Sequence, residues 1–439
     1  MHVIHITVKF RFSIRKFPLN LFEIFTVIKE ITMKAAQEVA RVFMEHLQKN
    51  AWGFYRERGY RNLGYQKRTF RGFLGMITTS LLKIRKGKGQ IRYAIHRKID
   101  IPAYVRLTED AYETGLGLLP HVSYRRSVAE SERIDEASPG KSSLHRYLKK
   151  IEPQLKVHPD RHAKGYEYLI VDGTGAKIQE WVSEYGFRRV KTRRGEIRVV
   201  YAAKQPNGPY RVVGRWTEKE SWKEIAVEAY KRIDPAFLTT LISDGEIGIE
   251  EAFMRKNMSH QRCSVHAWRE MKIFLYLDGL KKAGQEKYRD MLNDVPAFEY
   301  AKQEVMESLS AEDRPEIRKV IRTSKEQLDE LIRILSRKGY QQTAVYISRL
   351  SKPLLTFLEE WVNTGEWGPA TSNIAENRFS LFKNRIARIG KRWSESGLKR
   401  FFDLTVHKLF PGYEWNDLIG KILPSSGNIT CMIESVIAT

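Results

Sequence analysis

The stretch YEYLIVDGTG, residues 166–175, decides the fold because it places a carboxylate directly after a short apolar run. The run from Tyr168 to Val171 has the length and composition of a buried strand, and Asp172 follows it. A second stretch, LTTLISDG at residues 238–245, repeats this arrangement with Asp244. In open α/β sheets the functional site lies at the carboxyl ends of the strands, so we expect the two carboxylates to lie side by side there.

The segments around these two stretches predict a mixed α/β fold. We predict strands at 166–171, 196–204 and 210–217, a helix at 219–233 and a further strand at 237–243. Three strands, a helix and a fourth strand form the opening order of a ribonuclease-H-like sheet. The predicted fold class is therefore α/β with a ribonuclease-H-like core, in which both aspartates end their strands.

A third acidic residue belongs to a helix. The basic, amphipathic segment 373–389 predicts a helix with Glu376 in its first turn. Glu376 follows Asp244 by 376 − 244 = 132 residues, which is too long a separation for the bare fold. Apolar residues at helical spacing predict an all-helical insertion over 268–365, with helices at 268–281, 285–294, 314–336 and 338–361.

The chain is strongly basic, with 76 Lys and Arg against 52 Asp and Glu, or +24. Residues 51–100 hold 13 cations and 2 acids, so 13 − 2 = +11 comes from this segment. Such an excess favours a polyanion as partner, and double-stranded DNA is the partner we predict. A basic surface that only keeps the protein in solution is the alternative.

The N-terminal third is predicted to bind DNA through a basic β-ribbon and three short helices. The ribbon would pair 77–85 with 90–96, and its candidate DNA contacts are Lys83, Arg85, Lys86 and Lys88. The helices are predicted within 104–152, the second at 121–134 and the third at 142–150 with a serine cap. This order resembles a helix-turn-helix, with Arg146 and Lys149 towards DNA, and a plain helical linker is the alternative.

Cysteine and histidine are used sparingly. Cys263 and His266 form a Cys-x-x-His pair that begins 263 − 244 = 19 residues after Asp244. Two ligands do not make a zinc site, so we expect a structural role beside the site, with ordinary packing as the alternative. The only other cysteine is Cys431, which excludes a disulfide framework and favours a reducing cytoplasm.

Both ends of the chain differ from the rest. Residues 1–33 are basic and apolar but carry interrupting charges and no small-residue cleavage site, so we predict a non-native upstream extension rather than a signal peptide. No apolar run of about 20 residues predicts a membrane span. The predicted division is 1–33 extension, 34–155 DNA-binding region, 156–267 first part of the core, 268–365 helical insertion, 366–410 second part of the core and 411–439 tail.

Three carboxylates in this arrangement point to metal-dependent phosphodiester chemistry. Two on neighbouring strands and one on a helix can hold two hard cations about 4 Å apart. Asp172, Asp244 and Glu376 are therefore candidate catalytic residues and metal ligands for Mg²⁺ or Mn²⁺. Lys383 lies seven residues after Glu376 and is a candidate phosphate contact. Asp-Gly turns, and a glutamate that favours the helix dipole, are the structural alternatives.

These residues, taken in order, carry a resemblance to a known family. Asp172, ISDG at 242–245, QRCSVH at 261–266 and NIAEN at 373–377 resemble the DDE transposases of bacterial and archaeal insertion sequences, and among them the Mutator-like superfamily. The resemblance covers roughly residues 60–410. It implies a ribonuclease-H-like core, an N-terminal region that binds terminal repeats, magnesium and homo-oligomeric synapsis. It also implies Asp172, Asp244 and Glu376 as metal ligands, with Cys263 and His266 as an accessory pair.

The predicted function is that of a DNA transposase, which binds element ends and catalyses strand cleavage and strand transfer into target DNA. Two alternatives stay open. One is a structure-selective DNA nuclease that uses the same three acids without strand transfer. The other is a non-catalytic DNA-binding protein derived from a transposase.

Overall fold

A computed structural model describes residues 21–72, 74–97, 107–134, 138–157, 165–184, 186–388 and 393–423. The chain divides into two compact units. One unit consists of Met1–Gln154 and Asn416–Thr439, and the other of Leu155–Trp415. Within the described residues, no helix combines the length and the apolar character that crossing a membrane requires.

The first unit begins with one long helix on a small sheet. Helix α1 (Leu21–Glu57) packs on the antiparallel strands β1 (Arg61–Gly72), β2 (Gly75–Arg85) and β3 (Arg92–Tyr93). The buried Gln48 side chain holds the helix to β2, because it accepts from the Leu82 amide at 2.6 Å and donates to the Ser80 carbonyl at 2.9 Å. Of the predicted extension 1–33, residues 21–33 are the first part of α1, and residues 1–20 lie outside the described residues.

The ribbon differs from the prediction. Its main hairpin pairs β1 with β2 from Arg61↔Arg85 to Gly72↔Gly75, and β1 was missed because it is polar and mostly exposed. The predicted pairing of 77–85 with 90–96 is reduced to two residue pairs between β2 and β3. The turn at 86–89 therefore lies at the opposite end of β2 from the tip of the main hairpin.

The short helices of this unit are α2 (Glu113–Leu118), α3 (Tyr124–Ile134), α4 (Lys141–Lys150) and α5 (Glu152–Leu155), with a 3₁₀ turn at Glu109–Tyr112 before α2. The first predicted helix is wrong at its start: Leu107 forms an isolated bridge with Arg71, and 98–106 lie outside the described residues. The predicted serine cap is also wrong, because Gly140 occupies the N-cap position of α4.

The second unit is built on a mixed sheet. Its strands are β4 (Tyr168–Glu184), β5 (Phe187–Ala203), β6 (Arg211–Thr217), β7 (Thr240–Ser243) and β8 (Ser259–Arg262), in the order β6-β5-β4-β7-β8. The pairs β4–β5 and β5–β6 are antiparallel, whereas β4–β7 and β7–β8 are parallel. The short strand β9 (Trp393–Ser394) pairs with β4 at Ile178 and Gln179. The sheet and its helices make this unit α/β, as predicted.

The two central strands are much longer than predicted. The predicted strand 166–171 begins at Tyr168 and continues to Glu184, and the predicted strand 196–204 is the second half of β5. Asp172 therefore lies inside β4, so its predicted position at a strand end is wrong, as is the alternative of a turn at Asp172-Gly173. Asp244 does follow the last residue of β7.

Helices cover both faces of the sheet. On one face lie α6 (Trp222–Tyr230), which starts with a capping box of Ser221 and Glu224, and α7 (Ile249–Phe253). On the other face, Tyr201 of β5 meets Phe379 edge to face, with ring centroids 6.2 Å apart. Phe379 belongs to α14 (Asn373–Arg388), whose bounds agree with the predicted helix 373–389 except at the last residue, which lies outside the described residues.

A helical region with its own buried core connects β8 to α14. Its helices are α8 (Ser264–Leu277), α9 (Lys282–Asn293), α10 (Gln303–Glu307), α11 (Arg314–Arg337), α12 (Gln341–Leu354) and α13 (Thr356–Thr364). The predicted single helix 338–361 is two helices, because Pro353 cannot continue the hydrogen-bonding pattern of α12. The chain closes with α15 (Glu395–Leu409) and α16 (Trp415–Ile422), and residues 424–439 of the predicted tail lie outside the described residues.

Candidate active site

The two aspartates are neighbours across a pair of parallel strands. Val171 pairs with Ser243 in the last register position of β4 and β7, and Asp172 and Asp244 come next. Adjacent strands lie about 5 Å apart, so the two carboxylates share one edge of the sheet. Asp172 is only 2% exposed, and its Oδ1 accepts from the Gly173 amide at 2.7 Å. Its Oδ2 has no hydrogen-bond partner among the described residues.

Burial changes the acidity of this pair. Desolvation is the largest effect on Asp172, and the negative charge of Asp244 adds to it, so the pKa of Asp172 rises to about 7 although His266 and the Gly173 amide oppose the rise. A carboxyl group in this position is half protonated near neutral pH unless a cation neutralises it. The site therefore favours a positive charge beside Asp172.

Glu376 approaches the aspartates from helix α14. It lies in the first turn of the helix, and its charge contributes to the raised pKa of Asp172. Its Oε1, however, accepts from Nη1 of Arg269 at 2.7 Å and lies 3.2 Å from Nε2 of His266. Both partners belong to α8, so the carboxylate of Glu376 is held by cations of the helical region.

The arrangement of the three acids meets only some of the requirements of a divalent-cation site. Asp172 offers a buried carboxylate oxygen without a partner, and Asp244 stands beside it, which is an oxygen donor set that suits a hard cation. Among the described residues, no three or more His, Cys, Asp and Glu side chains are arranged so that they could hold a metal ion. Glu376 is held through Oε1, so a cation that binds this oxygen would compete with Arg269 and His266 for it.

The Cys-x-x-His pair lies next to the acids. Cys263 is buried, and its Sγ accepts from the Ser372 amide at 3.2 Å. Burial raises the pKa of the Cys263 thiol, but interactions with His266 and Ser372 outweigh burial and leave the pKa below its usual value. Burial lowers the pKa of His266, but Cys263 and the two aspartates outweigh burial and raise the pKa to about 9. His266 is therefore a cation at neutral pH and balances the charge of the acids.

A glutamine that the sequence analysis did not single out brings α14 to the sheet. Gln261 of β8 is fully buried, its Oε1 accepts from the Phe357 amide at 2.9 Å, and its Nε2 lies 3.4 Å from the carbonyl of Ala370. The Ser264 amide donates to the same carbonyl at 3.3 Å. These bonds tie the segment before α14 to the strand next to β7, and so they position Glu376. The sequence carries no signal for such contacts, because the partners are 96 and 109 residues apart.

Two arginines flank the aspartates and were also missed. Arg262 donates to the Gly245 carbonyl at 2.9 Å and pairs with Glu270 at 3.0 Å. Gly245 has φ +92°, and a Cβ there would lie 1.3 Å from the Arg262 guanidinium carbon, so only glycine fits. Arg198 pairs with Glu246 at 2.7 Å and lies 4.3 Å from the centroid of the Trp222 ring. These pairs hold the loop that follows Asp244.

The predicted phosphate contact, Lys383, is exposed on α14. It lines a cavity of about 480 Å³ together with Lys177 of β4 and Arg194 of β5. The floor of this cavity consists of small or apolar residues: Gly175, Ala176, Gly195 and Ile386. The three cations and the open strand edge suit an anion, which is consistent with a phosphate contact.

The predicted DNA contacts of the first unit are accessible. Arg85, Lys86 and Lys88 are exposed at the end of β2 and in the turn after it, and Lys83 is half-buried. Arg146 and Lys149 are exposed on α4. A side chain must be exposed to contact DNA, but exposure alone does not show that it does. The assignment of these residues as DNA contacts therefore stays a prediction.

Comparison with known proteins adds little. No protein-family model and no curated protein sequence matches the chain. Among solved structures, a chain of the "Drosophila P element transposase strand transfer complex" is 10% identical, covers 70% of this chain and 92% of its own length, and has a TM-score of 0.38. A likeness this distant carries no argument about fold or function, so the function has to be argued from the residues of this chain.

Proposed function

We propose that this protein is a DNA transposase of the DDE type, whose site consists of Asp172, Asp244 and Glu376. One observation carries the proposal: a buried aspartate with an unpartnered carboxylate oxygen stands beside a second aspartate on the adjacent parallel strand. Buried acids placed together in this way lower the stability of the folded chain unless a cation compensates their charge. Such a loss of stability is typical of functional sites.

The sheet supports a ribonuclease-H-like core. Three antiparallel strands come first in the chain, a parallel strand follows a helix, and a further parallel strand lies beside it. The helical region between β8 and α14 would be the insertion that separates the second and third acids. The resemblance to Mutator-like transposases of prokaryotic insertion sequences rests on the same residues.

The three acids would hold Mg²⁺ or Mn²⁺. When bound, such ions activate a water or a 3′-hydroxyl and stabilise the leaving oxygen of a phosphodiester. The chain's own residues prepare this chemistry: burial removes water from Asp172, and the charge of His266 offsets the acids until the cation binds. Glu376 would join the two aspartates as the third acid, and Arg269, which now contacts its Oε1, lies where it could also contact a DNA phosphate.

DNA would be held by basic surfaces of both units. In the first unit, the candidates are the residues at the end of β2 and on α4, which would bind the terminal repeats of the element. In the second unit, Lys383, Lys177 and Arg194 would contact the strand beside the acids. Joining two element ends to a target requires two copies of the site, so we expect a homo-oligomer.

One observation favours a second candidate function. The ion pair between Arg269 and Glu376 leaves the three acids unassembled, as expected of a DNA-binding protein derived from a transposase that no longer cuts. A nuclease that cuts without joining would use the same site as the transposase. The three functions differ in their products.

The test uses the full-length chain with a labelled duplex that carries the DNA flanking the reading frame, a target plasmid and Mg²⁺. We expect joined products with the wild type and none in excess EDTA, and cleavage without joining would identify a nuclease. Binding without cleavage would contradict the proposal and support the DNA-binding alternative. Asp329→Ala, which removes an exposed acid on α11, is the matched control and should retain activity.

A further inference from the structure

The distal half of the β4–β5 hairpin extends beyond the rest of the sheet. Strand β6 pairs with β5 only between Ile197 and Ala202, and β9 pairs with β4 only at Ile178 and Gln179. Among the described residues, 180–184 and 187–191 are thus paired as strands only with each other. We call these residues the arm.

The arm is exposed on both faces, yet it carries large apolar side chains. All residues from 187 to 192 are exposed, as are Trp181 at 64% and Phe187 at 69% of their surface. Single exposed apolar residues are ordinary. Here the exposed Trp181 lies on a projecting hairpin, directly opposite the exposed Val190. Neighbouring exposed apolar side chains of this kind are typical of a contact surface.

The strand register assigns the side chains to two different faces, because directly opposite residues lie on the same face and successive residues alternate. The face that carries Trp181, which we call the tryptophan face, contains these pairs: Lys177↔Arg194, Gln179↔Thr192, Trp181↔Val190 and Ser183↔Arg188. The opposite face contains these pairs: Ile178↔Arg193, Glu180↔Lys191, Val182↔Arg189 and Glu184↔Phe187.

The two faces differ in charge. All acids of the arm lie on the opposite face, where Lys191 pairs with Glu184 and Arg193 pairs with Glu180 and Glu218. The tryptophan face has cations and no acid. Its Arg188 lies 5.0 Å from the centroid of the Trp181 ring, so a guanidinium and an indole are presented together.

The base of the tryptophan face borders a cavity beside α14. Lys177 and Arg194, at its base, line the cavity that also contains Lys383. Lys177 is five residues from Asp172 along β4, which corresponds to roughly 17 Å at the rise of a strand. Because side chains alternate along a strand, this odd spacing places Lys177 and Asp172 on opposite faces, so DNA on the tryptophan face would approach the site from the side of the cavity that contains Lys383.

We propose that the tryptophan face of the arm binds duplex DNA, with Arg188, Arg194 and Lys177 at phosphates and Trp181 against a base or sugar. A two-stranded ribbon fits the major groove, and the four residue pairs of this face carry three cations and no acid, which suits the phosphate backbone. A second copy of the same face is a poor partner because it would oppose cation to cation. This inference rests on the proposed function for its partner and adds a DNA-binding element outside the N-terminal unit.

The experiment compares two arginines of equal charge on opposite faces. Full-length Arg188→Ala and Arg189→Ala proteins are titrated into a labelled duplex of about three helical turns, with fluorescence anisotropy as the readout. We expect Arg188→Ala to weaken binding about threefold to tenfold and to lower the salt slope by about one, and Arg189→Ala to change affinity less than about twofold. Both side chains are exposed, so the unfolding temperature should not change.

A second pair tests the tryptophan. Trp181→Ala should weaken binding about tenfold, whereas Trp181→Phe should keep most of the affinity because an aromatic ring remains. Equal effects of Arg188→Ala and Arg189→Ala would overturn the proposal, since they would show only general attraction. Loss of oligomer in Trp181→Ala with unchanged DNA affinity would also overturn it, by assigning the face to a protein partner. If the wild type binds no duplex, the proposed function itself fails, and that outcome is distinct from normal binding by all variants.

Discussion

The proximal and distal halves of the β4–β5 hairpin are one continuous pair of strands, but their surroundings differ completely. In the proximal half, β6 and β7 extend the sheet on both sides, and Leu169, Val171 and Val200 are fully buried. In the distal half both faces are exposed and cations dominate. The comparison shows that one hairpin can bury an acid where the sheet is covered and present cations where it is not. If both proposals hold, chemistry and DNA contact are separated along a single element.

The largest expected effect concerns the proximal half. Asp172→Ala and Asp244→Ala should each lower the rate of strand cleavage by at least about 100-fold, because the two acids that remain in each variant cannot hold the cations without the third. Duplex affinity should stay within about twofold, since binding rests on Lys and Arg. The measurement is cleavage of a labelled duplex beside its anisotropy titration. If the Asp172→Ala protein still cleaved the duplex, the proximal half of the hairpin would have no part in the chemistry.

The pH dependence of stability tests the burial of Asp172. Its pKa is raised to about 7, so between the ordinary value of 3.8 and about 7 the folded chain holds a proton that the unfolded chain has released. This group therefore lowers the free energy of unfolding as pH rises through that window. His266, with its pKa raised to about 9, contributes stability below its ordinary value of 6.5 and loses it as pH rises through about 9.

Asp172→Asn should remove the first of these effects and reduce the second, because the charge of Asp172 contributes to the raised pKa of His266. In EDTA, we expect the free energy of unfolding of the variant to rise relative to that of the wild type by at least about 1 kcal/mol between about pH 5 and pH 8. Thermal unfolding measures this difference. The control, Asp329→Asn, changes an exposed acid and should leave the difference unchanged. An identical pH profile in Asp172→Asn and wild type would mean that this carboxyl is ionised throughout.

A smaller effect is expected at the ion pair that holds Glu376. Arg269→Gln removes a cation from this carboxylate, so Mn²⁺ should bind about twofold to fivefold more tightly, as measured by calorimetry. Lys272→Gln removes an exposed charge from the same helix and is the matched control. Weaker Mn²⁺ binding in Arg269→Gln would show instead that the arginine positions Glu376 for the cation.

The smallest effects are expected in the first unit, whose basic residues are the other DNA surface that we propose. Lys86→Ala and Lys88→Ala should each reduce the affinity for all duplexes about twofold to threefold, because each removes one phosphate contact. Arg146→Ala should weaken binding selectively for the DNA that flanks the reading frame. Competition titrations with unrelated duplexes measure the difference. Equal loss on all sequences in Arg146→Ala would exclude base contacts by α4.

Much of the fold could be predicted because it depends on local patterns. Apolar runs of strand length predict the start of β4 and the whole of β7, and helical spacing predicts α9 and α11 closely, whereas the predicted helix 268–281 lies four residues too late for α8. The start of α14 at Asn373, with Glu376 in its first turn, follows from the same spacing. Polar strands such as β1 and the distal half of β4 could not be predicted, since pairing rather than burial stabilises them. A run of five cations, in FRRVKTRR at 187–194, was the available signal for the arm.

By itself, the sequence determined which acids stand after apolar runs, which segment becomes the basic helix of Glu376, and how strongly the chain is charged. These properties need only neighbouring residues. The tertiary structure alone decided that Asp172 lies inside a strand with an unpartnered oxygen, that Arg269 holds Glu376, and that Gln261 ties β8 to the segment before α14. The last two contacts join residues 107 and 109 positions apart, and burial in a folded core sets the pKa of Asp172. Neither distance nor burial can be read from a local pattern.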